Sequence, residues 1–160
     1  MVKKNLTIED AKIIFRNFAG KEGRYNAKGN RNFCVVLDPE LANELKDEGW
    51  NIKFPQSDDP ERELSPYLQV KVKYGDISPK VVLITSRGKE QLDEDDISML
   101  DWAAIETVDL IIRPYNYEVR GNSGVAAYLK SMYVTITEDE FELKYADVPE
   151  SGHNIYTEDD

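Results

Sequence analysis

A chain of 160 residues, 41% hydrophobic and 32% charged, has room for one soluble domain with a real core. No apolar run approaches the roughly 20 residues that cross a bilayer, and the basic start MVKKNLTIEDAK lacks the apolar stretch of a secretory signal. The formal charge of −11 is unevenly spread: +5 over residues 1–31, −3 over 32–88, −5 over 89–137 and −8 over 138–160.

The first predicted element is DAKIIFRNF, a β-rich run with Ile13 and Phe15 on one parity and Ile14 and Phe18 on the other, which predicts a strand covered on both faces. The loop that follows is glycine-jointed, and residues 16–31 hold five bases (Arg16, Lys21, Arg24, Lys28, Arg31) against one acid, Glu22. RNFCVVL is the next strand. The connection is far longer than an ordinary hairpin loop, and long loops on rigid strands tend to be functional or disordered. Cys34, the single cysteine, lies inside that apolar strand and is expected to be a buried, inert thiol in a reducing cytoplasm.

DPELANELKDEG is a helix with clear punctuation: Asp38 to cap, Pro39 at the first position, Leu41 and Leu45 on one face, Gly49 to end it. WNIKF suggests a short strand, and the proline-bounded PQSDDPERELSP a polar loop. YLQVKVKY alternates, with Leu68, Val70, Val72 and Tyr74 facing in and Tyr67, Gln69, Lys71 and Lys73 facing out. KVVLITS follows the turn GDISP as a buried strand. LDEDDISMLDWAAI reads as a second helix, with Asp93 as cap and Ile97, Leu100 and Ala104 inward. TVDLIIRPYNYEV and VAAYLKSMYVTI flank the hairpin signal RGNSG. TEDE, from Thr137, is a capping box for a short terminal helix, and ESGHNIYTEDD is a polar, acidic tail expected to be disordered. The predicted fold is therefore mostly β, an antiparallel barrel or α+β sheet over 1–137 with two or three short inserted helices. Residues 138–160 add a short helix and an acidic tail.

Signals for catalysis are thin. The only histidine, His153, falls in the tail, which removes histidine triads and multi-histidine metal sites, and no phosphate-cradling glycine motif occurs. The run DEDD at 93–96 cannot converge on metal ions from consecutive positions, since neighbouring side chains point apart. No catalytic residue, metal or cofactor is assigned.

Binding signals are stronger. Non-specific recognition of single-stranded nucleic acid needs cations for phosphates and aromatic faces for bases. The basic loop has Phe18, Tyr25 and Phe33 beside it. RPYNYEVRGNSGVAAYLKSMY adds Arg113, Tyr115, Tyr117, Arg120, Tyr128, Lys130 and Tyr133. Arg113, Tyr115 and Tyr117 share one strand parity, and Lys71 and Lys73 extend that surface. The assigned site is Arg16, Phe18, Lys21, Arg24, Tyr25, Lys28, Arg31, Lys71, Lys73, Arg113, Tyr115, Tyr117 and Arg120. Each piece also has a plain reading: strand tyrosines often only pack, and basic loops are often only solvated. An acidic tail beside a basic groove can compete with DNA or recruit replication partners, or it can merely solubilise.

The stretches NLTIEDAKIIFRNFAGKEGRYNAKGNRNFCVVLDPELANELKDEGWNIK, YLQVKVKYGDISPKVVLITSRGKEQLDEDDISMLDWA, VDLIIRPYNYEVRGNSGVAAYLKSMYVTI and KYADVPE resemble the single-stranded DNA-binding proteins of tailed bacteriophages and prophages, over about residues 5–150. The resemblance implies an OB-fold barrel without catalytic activity that coats and protects ssDNA during phage replication or recombination, in the host cytoplasm. It transfers no binding signature residue by residue. A homodimer stays open, and no membrane partner is implied. Two rivals belong to other classes: an acidic DNA mimic that blocks a host nucleic-acid-binding enzyme, and a carboxylate-dependent nuclease.

Overall fold

The computed structural model describes residues 2, 4–62 and 64–138. Nine strands form one sheet: β1 Leu6–Ile8, β2 Ile13–Asn17, β3 Arg31–Val36, β4 Ile52–Lys53, β5 Tyr67–Val72, β6 Lys80–Thr85, β7 Gly88–Leu92, β8 Ile105–Val119 and β9 Asn122–Ile136. One helix, α1 (Pro39–Glu48), and a 3₁₀ turn, Ile97–Asp101, complete the described residues.

The main path through the sheet runs β1-β8-β9-β5-β3-β2. Its two ends are consecutive in the chain. The segment 6–17 bends at Asp10, a residue with φ +52°, and serves both edges. β1 pairs with β8, and the Ala11 N–H donates to the Val108 carbonyl at 2.7 Å. β2 pairs with β3, and the Val36 N–H donates to the Lys12 carbonyl at 2.9 Å. One bent N-terminal segment thus joins the first and last members of the path into a ring, which is the OB-type architecture expected from the sequence. The barrel is not wholly antiparallel: β5 and β6 both run parallel to β9 along the same edge. A bulge in the β8–β9 ladder skips Lys130 where β9 passes from β5 to β6.

Inward residues fill the ring. Phe18, Phe33, Leu68, Val70, Ile97, Leu100, Val108, Ile112, Met132 and Val134 are fully buried. The alternation read for β5 holds, with Leu68, Val70 and Val72 buried and Lys71 exposed. α1 carries the predicted caps: the Asp38 carboxylate accepts from the Leu41 N–H, and Gly49, at φ +105°, ends the helix. Ala42 and Leu45 cover the barrel, and Gly49 and Asn51 exchange backbone hydrogen bonds with Val125, tying the helix end to β9. Cys34 is buried, and that burial pushes its thiol up to about 11.

Three expectations need correction. The run LDEDDISMLDWAAI is not a helix. Asp93 does bond as a cap, its carboxylate accepting from the backbone N–H groups of Asp95 and Asp96, but the turn it starts does not continue as an α-helix and only Ile97–Asp101 winds, as 3₁₀. Ile97 and Leu100 are buried as expected, but Ala104 is exposed. Second, β1 and β7 went unread; β7 forms a hairpin with β6 around Ser86 and Arg87. Third, β2 carries a bulge between Ile14 and Asn17, which turns Phe15 outward and Phe18 inward, against the simple alternation. The capping box and terminal helix, and the tail beyond them, fall largely on residues 139–160, outside the described residues.

Candidate nucleic-acid interface

The β8–β9 hairpin turns through Arg120 and Gly121, both at positive φ, and its register then follows by counting outward. Arg113 falls opposite Tyr128, Tyr115 opposite Ala126 and Tyr117 opposite Gly124. On its other side Tyr128 neighbours Lys71 of β5, which pairs with Asn32 of β3, which pairs with Asn17 of β2. One outward row therefore crosses five strands: Arg113, Tyr128, Lys71, Asn32, Asn17.

Tyr128 is the centre of this row. The Lys71 Nζ lies 5.8 Å and the Arg113 Cζ 5.9 Å from its ring centroid, and the Tyr115 ring meets it edge to face at 5.7 Å and 72°. Cations at that range are attracted by the ring quadrupole, so the ring fixes two long, otherwise mobile cationic side chains. Tyr115 remains 56% exposed. Tyr117 leans toward Asn51, its hydroxyl donating to Oδ1 at 3.2 Å. Gly124 makes that pose feasible, because a Cβ there would come within 2.6 Å of the Tyr117 hydroxyl.

Two clefts meet along this row. One, of about 520 Å³, runs under the basic loop between Tyr25, Arg31, Lys73, Tyr74 and Glu94. The other, of about 290 Å³, lies between Asn51, Lys53, Tyr115 and Tyr117. Both are lined by Gln69, Lys71 and Tyr128, so together they make one continuous path. Among the described residues, four bases line it (Arg31, Lys53, Lys71, Lys73) against one acid, Glu94. In a protein of charge −11, that local excess attracts polyanions.

The basic loop is built rather than slack. Asn26 Nδ2 donates to the carbonyls of Lys21, Ala27 and Asn30, and Asn26 Oδ1 accepts from Asn32 Nδ2. Asn17 exchanges two bonds with the Lys21 backbone. Gly20 and Gly29 pack backbone to backbone, close enough that a Cβ on Gly20 would lie 3.0 Å from Gly29. This asparagine frame holds up Tyr25, 91% exposed, with the Arg24 guanidinium 5.5 Å from its ring.

The assigned residues separate accordingly. Tyr25, Arg31, Lys71, Lys73, Tyr115 and Tyr117 line the path, and Arg113 borders it through Tyr128. Lys21, Arg24 and Lys28 are exposed on the loop, and Arg120 is exposed at the hairpin turn. One assignment fails and one residue is drawn inward. Phe18 is fully buried and stacked on Phe33 at 5.1 Å, so no base can reach it. Arg16 is a clasp: its Nη1 donates to the carbonyls of Leu100 and Ala103, both at 2.9 Å. Arg31 is half committed, with Nη1 on the Phe18 carbonyl and Nη2 3.7 Å from Glu94. Beside it, burial pushes the Tyr74 phenol up to about 12, with Arg31 opposing, so it stays neutral. Tyr128, named among the strand aromatics, was left out of the assigned site, and Lys53 and the asparagine frame were missed. The hairpin turn alone would have paired Tyr128 with Arg113, whereas Lys53 and Asn32 need the tertiary register.

Searched against known proteins, the chain has no significant match among curated sequences. The structure is similar to the single-stranded DNA-binding protein of bacteriophage Enc34. It matches the C-terminally truncated form with a TM-score of 0.55 at 13% identity, covering 84% of this chain and 87% of that one. The same protein in complex with ssDNA matches with 0.55 at 13% identity, over 86% and 89%. A further structure of that protein matches with 0.53 at 13% identity, over 98% and 90%. Likeness at that identity speaks to the barrel. The sequence itself matches the phage ssDNA-binding domain over residues 1–160, and the chain belongs to that family.

Proposed function

We propose that this protein binds single-stranded DNA, without catalysis, along the path through Tyr128. The observation that carries the reading is the cluster of Tyr115, Tyr128, Lys71 and Arg113, which sets aromatic faces among cations on one outward surface. Bases stack on Tyr115 and Tyr128, Lys71, Lys73 and Arg113 take phosphates, and the Arg24–Tyr25 loop tip closes over the strand. The bound bases are read by their faces, so sequence preference is weak. Coating and protecting ssDNA in replication or recombination, in the host cytoplasm, follows from such binding. The core of the reading is 1–137. The acids of 138–160 compete with DNA for the path and offer a contact to replication or recombination proteins.

Glu94 has a part in this reading. It is the acid in the path among the described residues, 58% exposed and set against Arg31, where it stands in for a phosphate. Fluorescence anisotropy of labelled oligo-dT and of matched duplex tests the whole. Tight, salt-sensitive binding to oligo-dT, with log affinity falling by about 0.7 per phosphate neutralised for each log unit of salt, and weak binding to duplex are expected. Glu94→Gln is expected to tighten binding several-fold, and a chain ending at Ala146 to bind more tightly at low salt. No affinity for oligo-dT in any of the three proteins would sink the reading and favour the acidic mimic. Gly124→Ala tests the second cleft. The atoms nearest the added Cβ are the ends of the Tyr117 and Asn51 side chains and not backbone, so the unfolding midpoint should barely move while Tyr117 is displaced and affinity falls.

A further inference from the structure

We propose that Phe15 and Tyr67 form a second base-stacking platform, which extends the ssDNA path beyond the Tyr128 cluster along β5. The inference rests on the reading of the path as an ssDNA site, but it starts from a separate observation. Phe15 has φ +51° at the β2 bulge and is 66% exposed. A bulky residue in the left-handed region is an outlier, since its Cβ crowds the backbone there. A bulge that only had to bend the strand would be served by glycine or asparagine. Backbone strain of this kind persists at ligand sites, where the side chain it presents is the one required.

The ring is aimed at a partner. Phe15 reaches over the intervening strand β3 to Tyr67 of β5, with centroids 5.5 Å apart and planes at 75°. In an edge-to-face pair the ring that offers its edge keeps its faces free for a third partner. The position is continuous with the path. Tyr67, Gln69 and Lys71 follow one another on the outward face of β5, and Tyr67 lies about 13 Å along the strand from Lys71 at the usual rise. Lys53, which lines the second cleft, is the register partner of Tyr67 across β4 and β5. A phosphate on Lys53 would leave the adjoining base beside Tyr67 and Phe15.

The test is a length series of oligo-dT titrated by anisotropy into the full chain, Phe15→Leu, Phe15→Gly and Tyr67→Leu. Leucine retains apolar cover and glycine suits φ +51°, so at least one Phe15 variant keeps the bulge; circular dichroism checks it. Short oligomers that fill only the Tyr128 clefts should bind all four proteins alike. Longer ones should bind the wild type at least fivefold more tightly than the variants, the weak end of one lost stack. Variants that match the wild type at every length, or are weakened equally at every length, would overturn the platform and leave the Tyr128 reading intact. Absence of wild-type binding at all lengths would overturn both.

Discussion

Tyr128→Ala is expected to weaken oligo-dT binding roughly 5- to 150-fold, the range of one lost base stack, with the fold retained. The ring is half-buried on an outward face, so its removal opens no core cavity. It is also the surface on which Lys71 and Arg113 rest and the edge that Tyr115 meets. Tyr115→Ala should therefore cost less in the Tyr128→Ala background than in the wild type, because residues in contact couple. Tyr128→Phe, which retains the ring, should bind nearly as the wild type does. The salt dependence separates the roles. Lys71→Ala should lower the slope of log affinity against log salt by about 0.7, whereas Tyr128→Ala should leave the slope nearly unchanged. Equal affinity for Tyr128→Ala and wild type would remove this residue from the site.

Asp101→Ala is expected to be the most destabilising single change on the surface around the path. The Asp101 carboxylate accepts from the Phe18 N–H at 2.6 Å and the Ala19 N–H at 3.0 Å, where β2 gives way to the basic loop. Arg16 answers from the other side, donating to Leu100 and Ala103. Loss of the carboxylate leaves two partly buried donors without an acceptor, at about 2–4 kcal/mol. In a protein of this size that corresponds to roughly 5–15 °C in melting midpoint. Asp101→Asn keeps one acceptor oxygen and should lose less. Calorimetry of the three proteins decides it, and a midpoint for Asp101→Ala within a degree or two of wild type would refute the clasp.

What could be read ahead of the structure followed local rules. Asp38, Pro39 and Gly49 punctuate α1 by chemistry confined to a few residues. The outward triplet Arg113, Tyr115, Tyr117 needed only the period of a strand, and RGNSG marked the hairpin, though the turn itself is only Arg120 and Gly121 and β9 starts at Asn122. The misreadings have equally specific causes. Phe18 was assigned to the site for its place beside the basic loop, and one extra residue at the β2 bulge, invisible in the sequence, turns it into the core. The carbonyls of Leu100 and Ala103 that hold Arg16 Nη1 could not be foreseen, because they lie in a segment distant in sequence. Asp93 caps as read, with its carboxylate on two backbone N–H groups, but the turn it begins passes into 3₁₀ at Ile97 instead of an α-helix. The meeting of Lys71 with Tyr128 depends on a parallel contact between β5 and β9, which no local pattern encodes.

The ring closed by the bent N-terminal segment also sets an order of assembly. Leu6 lies opposite Ile112, so β1 waits for β8, which is made long after it. Until then β2 can pair with β3, but Leu6, Ile8 and Ala11 have no strand to lie on. Such distant pairing costs loop-closure entropy before any contact is gained, which places the barrel among the slower-folding small domains. A ribosome would therefore release the chain with its basic loop formed early and its barrel sealed last, so the nascent protein meets its neighbours with an open, apolar seam.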